Sequence, residues 1–369
     1  MPVTRESALA ALAKLLDPEL GRPLTDAGVV HDLSVDGDDV AVSVELVSPA
    51  PSYKIALDHA IIGALREAGA GDVRLHHESA IPSRPILSDD PCPGARNIVL
   101  VMSGKGGVGK STVAANMALA LSRMGAKVGL LDADMYGPSV PTMLGVSGKP
   151  SSADGQRFLP LERFGVKLMS IGFLLDDDKS AVVWRGPMLQ TALLQFLRDV
   201  DWGALDYLVL DMPPGTGDIA LTISQKVRST GAIIVTTPQE VALQDVYKSV
   251  AMAHKVGIPI LGVVENESYF LCDGCDKRHE LFGSGGGQKV AEFAGAPLLG
   301  QIPLEGSVRA WGDAGTPVVQ AAPNSSVAQA FVAVAEKLAG RVAAHNLSRG
   351  GPLRIDRSGG QMRHLPIMR

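Results

Sequence analysis

The sequence predicts an α/β fold, with a mostly parallel sheet covered by helices on both faces, preceded by a small α+β unit. Three observations carry that prediction. From residue 97 onward, short β-rich runs alternate with helical stretches, a pattern that needs crossover connections and therefore parallel pairing. The first 80 or so residues follow a different order, with strand, strand and helix in succession. Between the two stand Pro82, Pro85, Pro91 and Pro93, which block regular helix and interior strand.

Residues 1–78 are expected to hold a helix near Thr4–Leu16, strands near Val29–Val35 and Val40–Val47, a helix from Tyr53 to Ala68 and a short strand near Asp72–His76. Residues 79–96 read as a semi-rigid, proline-rich linker. In residues 97–345 the expected strands are Ile98–Met102, Val128–Leu131, Tyr207–Leu210, Ala232–Thr236 and Ile260–Val264. Residues 346–369, rich in Gly, Pro and Arg, read as an irregular basic tail in which Leu353, Ile355, Leu365 and Ile367 could pair as a brief hairpin.

Composition bounds the function. In 369 residues, 34 Lys and Arg face 39 Asp and Glu, and 46% of residues are hydrophobic against 20% charged, which excludes global disorder. A net charge of −5 argues against broad binding to nucleic acid or anionic membrane, and 4% aromatics leave few rings for base stacking. Cys92, Cys272 and Cys275 are too few for a disulfide framework, which points to a reducing compartment. The first residues carry Arg5, Glu6 and Lys14 and lack the apolar core of a signal peptide, and no run approaches the roughly 20 apolar residues of a transmembrane helix. The expectation is a cytoplasmic protein without nucleic-acid or membrane partners.

The most informative run is the apolar stretch from Ile98 followed by Gly104-x-x-x-x-Gly109-Lys110-Ser111 and a helical segment from Thr112 to Met124. This is strand, glycine-rich turn and helix, the context of a phosphate-binding loop. Glycines let successive backbone N–H groups turn toward phosphate oxygens, and the helix N-terminus adds its dipole. Lys110 would reach the β- and γ-phosphates and Ser111 would ligate Mg²⁺. Asp132 and Asp134 follow the strand ending at Leu131, and Asp211 follows the strand ending at Leu210. Carboxylates at the carboxyl ends of parallel strands face the ligand crevice, where one can hold Mg²⁺ and another orient the attacking water. Taken alone, such a residue is as readily a helix cap.

Lys105 in Lys105-Gly-Gly-Val-Gly-Lys110-Ser-Thr resembles the deviant phosphate loop of the MinD, ParA and nitrogenase iron-protein group of P-loop NTPases. Further motifs resemble the Mrp/ApbC iron–sulfur cluster carrier ATPases within that group. They are Leu131-Asp-Ala-Asp134-Met-Tyr-Gly-Pro-Ser-Val-Pro141, Asp211-Met-Pro-Pro-Gly-Thr-Gly-Asp218, Thr237-Pro-Gln-Glu240, Glu265-Asn-Glu-Ser-Tyr-Phe270, Phe282-Gly-Ser-Gly-Gly-Gly287 and Leu299-Gly-Gln-Ile-Pro303. The resemblance spans about residues 95 to 335. It implies ATP held by Gly104, Lys105, Gly106, Gly107, Val108, Gly109, Lys110, Ser111 and Thr112, in a homodimer whose Lys105 contacts the nucleotide of the other subunit. It also implies that Asp134 helps activate water, that Asp211 supports Mg²⁺ and that Asn266 recognises adenine.

Cys272-Asp-Gly-Cys275 places two sulfurs within reach of one metal or cluster. A tetrahedral thiolate site needs four ligands, and two chains meeting at this loop would supply them. The resemblance implies the same arrangement, a labile 4Fe-4S cluster bridging the dimer and passed to apo iron–sulfur proteins. Zinc held by Cys272, Cys275 and His279, a redox dithiol and a pair of inert thiols remain open. So do whole-protein alternatives: a MinD/ParA-like spatial switch, an ATP-gated electron donor and a zinc-bridged dimeric scaffold.

Two departures stand out. Residues near Leu9–His77, with Leu16-Asp-Pro-Glu-Leu20 and Asp26-Ala-Gly-Val-Val30, resemble the iron–sulfur assembly domain fused ahead of such ATPases, yet the loop Ser48-Pro-Ala-Pro-Ser-Tyr53 lacks the cysteine common in relatives. A docking or regulatory role is therefore expected of this domain. Glu267 stands where methionine usually follows the adenine-contacting asparagine.

Overall fold

In the computed structural model the described residues are 3–349 apart from 135–136, 153–154, 156, 175–185, 216, 218–220, 224–225, 273 and 276. They fall into two units, residues 1–83 with the segment from Ala339 onward, and Arg84–Leu338.

In the small unit, Thr4 caps the helix Arg5–Leu12, its hydroxyl accepting from the Ser7 backbone N–H and its own N–H reaching the Ser7 hydroxyl. The helix is shorter than the expected 4–16 because the chain turns back, with Leu16 bridging Pro23 and the Leu24 N–H reaching Leu15 O. Strands β1 (Val30–Asp36) and β2 (Asp39–Leu46) pair antiparallel, and β3 (Val73–Ser79) joins β2 in parallel. The connecting helix Pro51–Glu67 buries Tyr53, Leu57, Ile61 and Leu65, one residue every turn. The buried Tyr53 hydroxyl donates to Asp17 Oδ2 at 2.7 Å, while Asp17 Oδ1 accepts from the Glu19 and Leu20 N–H groups. The long helix Ser326–Ser348 contributes its last turns to this unit, where Asn346 is buried and donates to Pro82 O. The irregular tail therefore does not begin at residue 346, since a run of Ala and Val carries the helix through Ser348. The possible hairpin of Leu353, Ile355, Leu365 and Ile367 lies outside the described residues.

In the large unit eight strands form one sheet. In chain order they are β4 (Ala95–Ser103), β5 (Val128–Asp132), β6 (Leu161–Arg163), β7 (Val166–Ser170), β8 (Leu205–Asp211), β9 (Gly231–Thr236), β10 (Ile260–Glu265) and β13 (Leu298–Gln301), while the two-residue strands β11 (Phe270–Leu271) and β12 (Arg278–His279) form a separate hairpin. The spatial order is β13-β10-β9-β4-β8-β5-β7-β6, parallel except for the terminal β6–β7 pair. Strands β4, β8 and β9 are buried almost throughout, as continuous apolar runs in a parallel sheet must be. The five expected strands are present. Strands β6, β7 and β13 were not anticipated, being short or interrupted by Lys167 and Gly300. The chain leaves β4 toward β5 on one side and later returns to β9 on the other, so the crevice at the carboxyl end of β4 is a topological switch point.

The proline-rich segment holds no regular element between β3 and β4, but β3 takes Ser79, β4 takes Ala95 and Arg96, and the stretch is pinned rather than free. Arg84 and Asp90 form a buried ion pair, Arg84 also donates to Cys92 O at 3.0 Å, and the Cys92 N–H reaches Asp90 at 2.9 Å. Burial pushes the Cys92 thiol up to about 11, which makes it an inert packing group.

Candidate functional site

The loop after β4 uses its glycines for different reasons. At Gly104 a Cβ would lie 2.3 Å from the Val246 backbone nitrogen, so this glycine permits close approach of the helix Glu240–Lys255. Gly109 has φ +74°, a left-handed backbone, and a Cβ there would stand 2.1 Å from Asn266 Nδ2. A Cβ on Gly106 would meet nothing. The helix Lys110–Arg123 starts immediately after Gly109, so its free N–H groups and dipole face the loop.

Lys110 is 6% exposed, and its Nζ lies 2.5 Å from Asp211 Oδ1 and 3.3 Å from Ser111 Oγ. Asp211 ends β8 fully buried, and its Oδ2 has no hydrogen-bond partner among the described residues. Burial raises its carboxyl above the usual range, against the pull of the Lys110 ammonium. A buried carboxylate oxygen without a protein donor, beside a serine hydroxyl, is the hard-oxygen set that suits Mg²⁺.

Asp132 and Asp134, two residues apart in the sequence, stand in different surroundings in the structure. Asp132 is completely buried and accepts from the N–H groups of Asp134 (3.1 Å) and Val140 (3.3 Å) and from the Ser170 hydroxyl (3.1 Å). Burial and the nearby Asp211 push its carboxyl up to about 7. These contacts tie the backbone at Asp134 and Val140, and Ser170 at the end of β7, to the end of β5. Asp134 is half-buried and joins Lys105, Lys110, Ser111 and Thr112 on the wall of a cavity of about 200 Å³. Lys105 is exposed there. Tyr136 and Asp218 lie outside the described residues.

A second cavity of about 370 Å³ adjoins the first, with Gly109, Thr112 and Met143 bordering both. Asn266, just past β10, lines it, and the Asn266 Nδ2 donates to Val108 O of the loop at 3.0 Å. Its backbone N–H reaches Thr236 O, which ties the turn to the end of β9. Preceding it, the buried Glu265 accepts from the Ser268 hydroxyl, the Gly287 N–H and, at 2.7 Å, Gln301 Nε2.

The same segment runs on into the cysteine hairpin. Phe270 pairs with His279 and Leu271 with Arg278, the Cys272 N–H donates to Lys277 O at 3.0 Å, and the Cys275 N–H to Cys272 O at 3.3 Å. Cys272 is half-buried and Cys275 exposed. Asp273 and Asp276 lie outside the described residues. Among the described residues no three His, Cys, Asp or Glu side chains gather as a metal-binding group, so His279 is not assembled with the two cysteines into a zinc site. The Arg278 guanidinium stacks over the Tyr269 ring at 3.9 Å and reaches Gln301 Oε1 at 3.3 Å. A path of polar contacts, Glu265 to Gln301 to Arg278, thus links the Asn266 turn with the hairpin. Sequence reasoning missed it; the available signal was polar residues closing two adjacent apolar strands, Glu265 on β10 and Gln301 on β13.

Among the described residues no helix is long and apolar enough to cross a membrane. Residues 94–339 match the family described as NUBPL iron-transfer P-loop NTPase, and residues 5–76 match the family described as iron–sulfur cluster assembly protein. The iron–sulfur cluster carrier protein of Synechocystis sp. is 44% identical, over 92% of this chain and 98% of that protein. That of Escherichia coli K12 is 45% identical, over 92% of each. Among solved structures, the nucleotide-binding protein of Archaeoglobus fulgidus in complex with ADP is similar with a TM-score of 0.54 and 40% identity, covering 60% of this chain and 87% of that one.

Proposed function

Since the chain belongs to the NUBPL iron-transfer P-loop NTPase family of iron–sulfur cluster carriers, we propose that it hydrolyses ATP and carries a labile 4Fe-4S cluster between two copies of itself for delivery to apo-proteins. One observation carries this reading: a single stretch of chain runs from Asn266, held against the phosphate loop at Val108, into the hairpin that carries Cys272 and the exposed Cys275.

ATP would lie with its phosphates over the loop and its base in the cavity beside Asn266. The loop N–H groups and Lys110 hold the β- and γ-phosphates, and Asp134 orients the attacking water toward the γ-phosphorus. Ser111 and the open oxygen of Asp211 would hold Mg²⁺, which neutralises charge on the β- and γ-oxygens when bound. Lys105, exposed on the same wall, is free to contact nucleotide across a twofold axis. Each chain offers Cys272 and Cys275, so two chains supply the four thiolates a cluster takes. The cluster is cargo, which suits a ligand pair on an open hairpin.

The test is cluster transfer from reconstituted protein to an apo iron–sulfur acceptor, with ATP and with a non-hydrolysable analogue, for the wild type and Lys110→Ala. Transfer that depends on ATP in the wild type and loses that dependence in the variant supports the reading. Transfer indifferent to nucleotide in both rejects the coupling.

A further inference from the structure

The base end of the nucleotide cavity holds a charged group that the reading above leaves without a task. Glu267 lines the cavity of about 370 Å³ next to Asn266. Its backbone has φ +53°, the left-handed region that a glutamate rarely adopts, which fixes the direction in which the side chain leaves the turn. Its carboxylate has no hydrogen bond or ion pair among the described residues, in contrast to Glu265 two positions earlier, which accepts from three donors. Burial raises the Glu267 carboxyl above its usual range, with no cation offsetting it. A half-buried carboxylate without a protein donor faces water while the cavity is empty and can exchange that water for donors on a bound ligand.

The nucleotide-binding reading supplies the donor, and this inference rests on it. Adenine offers an amino donor beside a ring-nitrogen acceptor, so an ionised carboxylate meets one favourable contact and one repulsive one. Guanine offers a ring N–H beside an amino group, two adjacent donors that match the two oxygens of a carboxylate. The neighbouring Asn266 has one amide N–H committed to Val108 O, which leaves its carbonyl and second N–H for either base. We propose that Glu267 reads the base edge and gives this chain affinity for guanine as well as adenine nucleotides.

The test is equilibrium titration of full-length protein with ATP and GTP against a fluorescent nucleotide, for wild type, Glu267→Gln, Glu267→Met and Lys110→Ala, with thermal melts confirming that each variant is folded. The expected wild-type affinity for GTP is within about tenfold of that for ATP, and Glu267→Gln moves the ratio toward ATP by roughly 5- to 150-fold, the range for a two-point base contact. The gain follows because an amide matches the donor–acceptor edge of adenine. Glu267→Met loses GTP and keeps ATP. A wild-type preference for ATP that neither substitution moves overturns the inference and leaves the nucleotide reading intact. Equal loss of both nucleotides also overturns it, by placing Glu267 on the ribose. Failure of the wild type to bind either nucleotide, indistinguishable from Lys110→Ala, rejects the nucleotide reading itself.

Discussion

The phosphate loop and the cysteine hairpin belong to the same unit and are built by opposite rules. The loop is held from three sides: β4 delivers it, the helix Lys110–Arg123 leads away from it, and β8 places a fully buried Asp211 against a Lys110 that is only 6% exposed. The hairpin has two strands of two residues each, and one of its cysteines is exposed. Phosphoryl transfer needs donors fixed before the substrate arrives, which rigid surroundings provide. Cargo that must leave needs ligands an acceptor can reach, and a small, open element provides those.

The contrast predicts separable losses. Replacing Cys272 and Cys275 by Ala should abolish iron and sulfide binding and leave ATP affinity unchanged, as metal analysis beside nucleotide titration would read. A parallel fall in ATP affinity would mean that the hairpin is part of the nucleotide site. Lys110→Ala should do the reverse, lowering nucleotide affinity about 100-fold through loss of a buried charge-assisted contact while cluster content persists.

Backbone packing sharpens the same comparison. Gly104→Ala forces a Cβ against the Val246 backbone and should cost about 1–3 kcal/mol of stability in denaturant unfolding. Gly274→Ala in the hairpin has only Cys272 Sγ at 3.9 Å, an ordinary contact, and should leave stability unchanged.

The buried Asp132 gives the core around the loop a pH signature. A carboxyl raised from 3.8 to about 7 binds its proton more tightly folded than unfolded, so its contribution is fully present below about pH 4 and is lost as pH rises to about 7. Its share of the slope of unfolding free energy against pH is at most about 1.4 kcal/mol per unit, and Asp132→Asn should flatten it.

The smallest effect belongs to the link between the regions. Gln301→Ala removes the contact joining Glu265 to Arg278 and should change the ATP dependence of cluster release by roughly 2- to 10-fold while altering neither ATP affinity nor cluster content. A change in either affinity would make Gln301 part of a site rather than of the link.

Much of this was legible in the sequence because the signals were local. Mostly apolar runs of four or five residues marked β4, β5, β8, β9 and β10, and the spacing Gly104 to Ser111 marked the loop. What escaped depended on partners far along the chain. By residue type alone Asp132 and Asp134 look alike, and the resemblance alone pointed to Asp134; the contacts that bury and hold Asp132, from Val140 and Ser170, come from far along the chain and are not legible in its sequence. The segment from 79 to 96 reads as a spacer because its prolines forbid regular structure, yet Arg84 and Asp90 pin it without any. The last helix overruns the expected tail because its alanines and valines outweigh the glycines that begin just beyond Ser348.

The central claim is that two chains share one cluster through four cysteines. Its most direct test is the iron, acid-labile sulfide and zinc content of anaerobically reconstituted protein, with native mass measured on the same sample and on the Cys272→Ala/Cys275→Ala variant. The account predicts about four iron and four sulfide per dimer, absent from the variant. Zinc without sulfide, or a full cluster on a monomer, would contradict it.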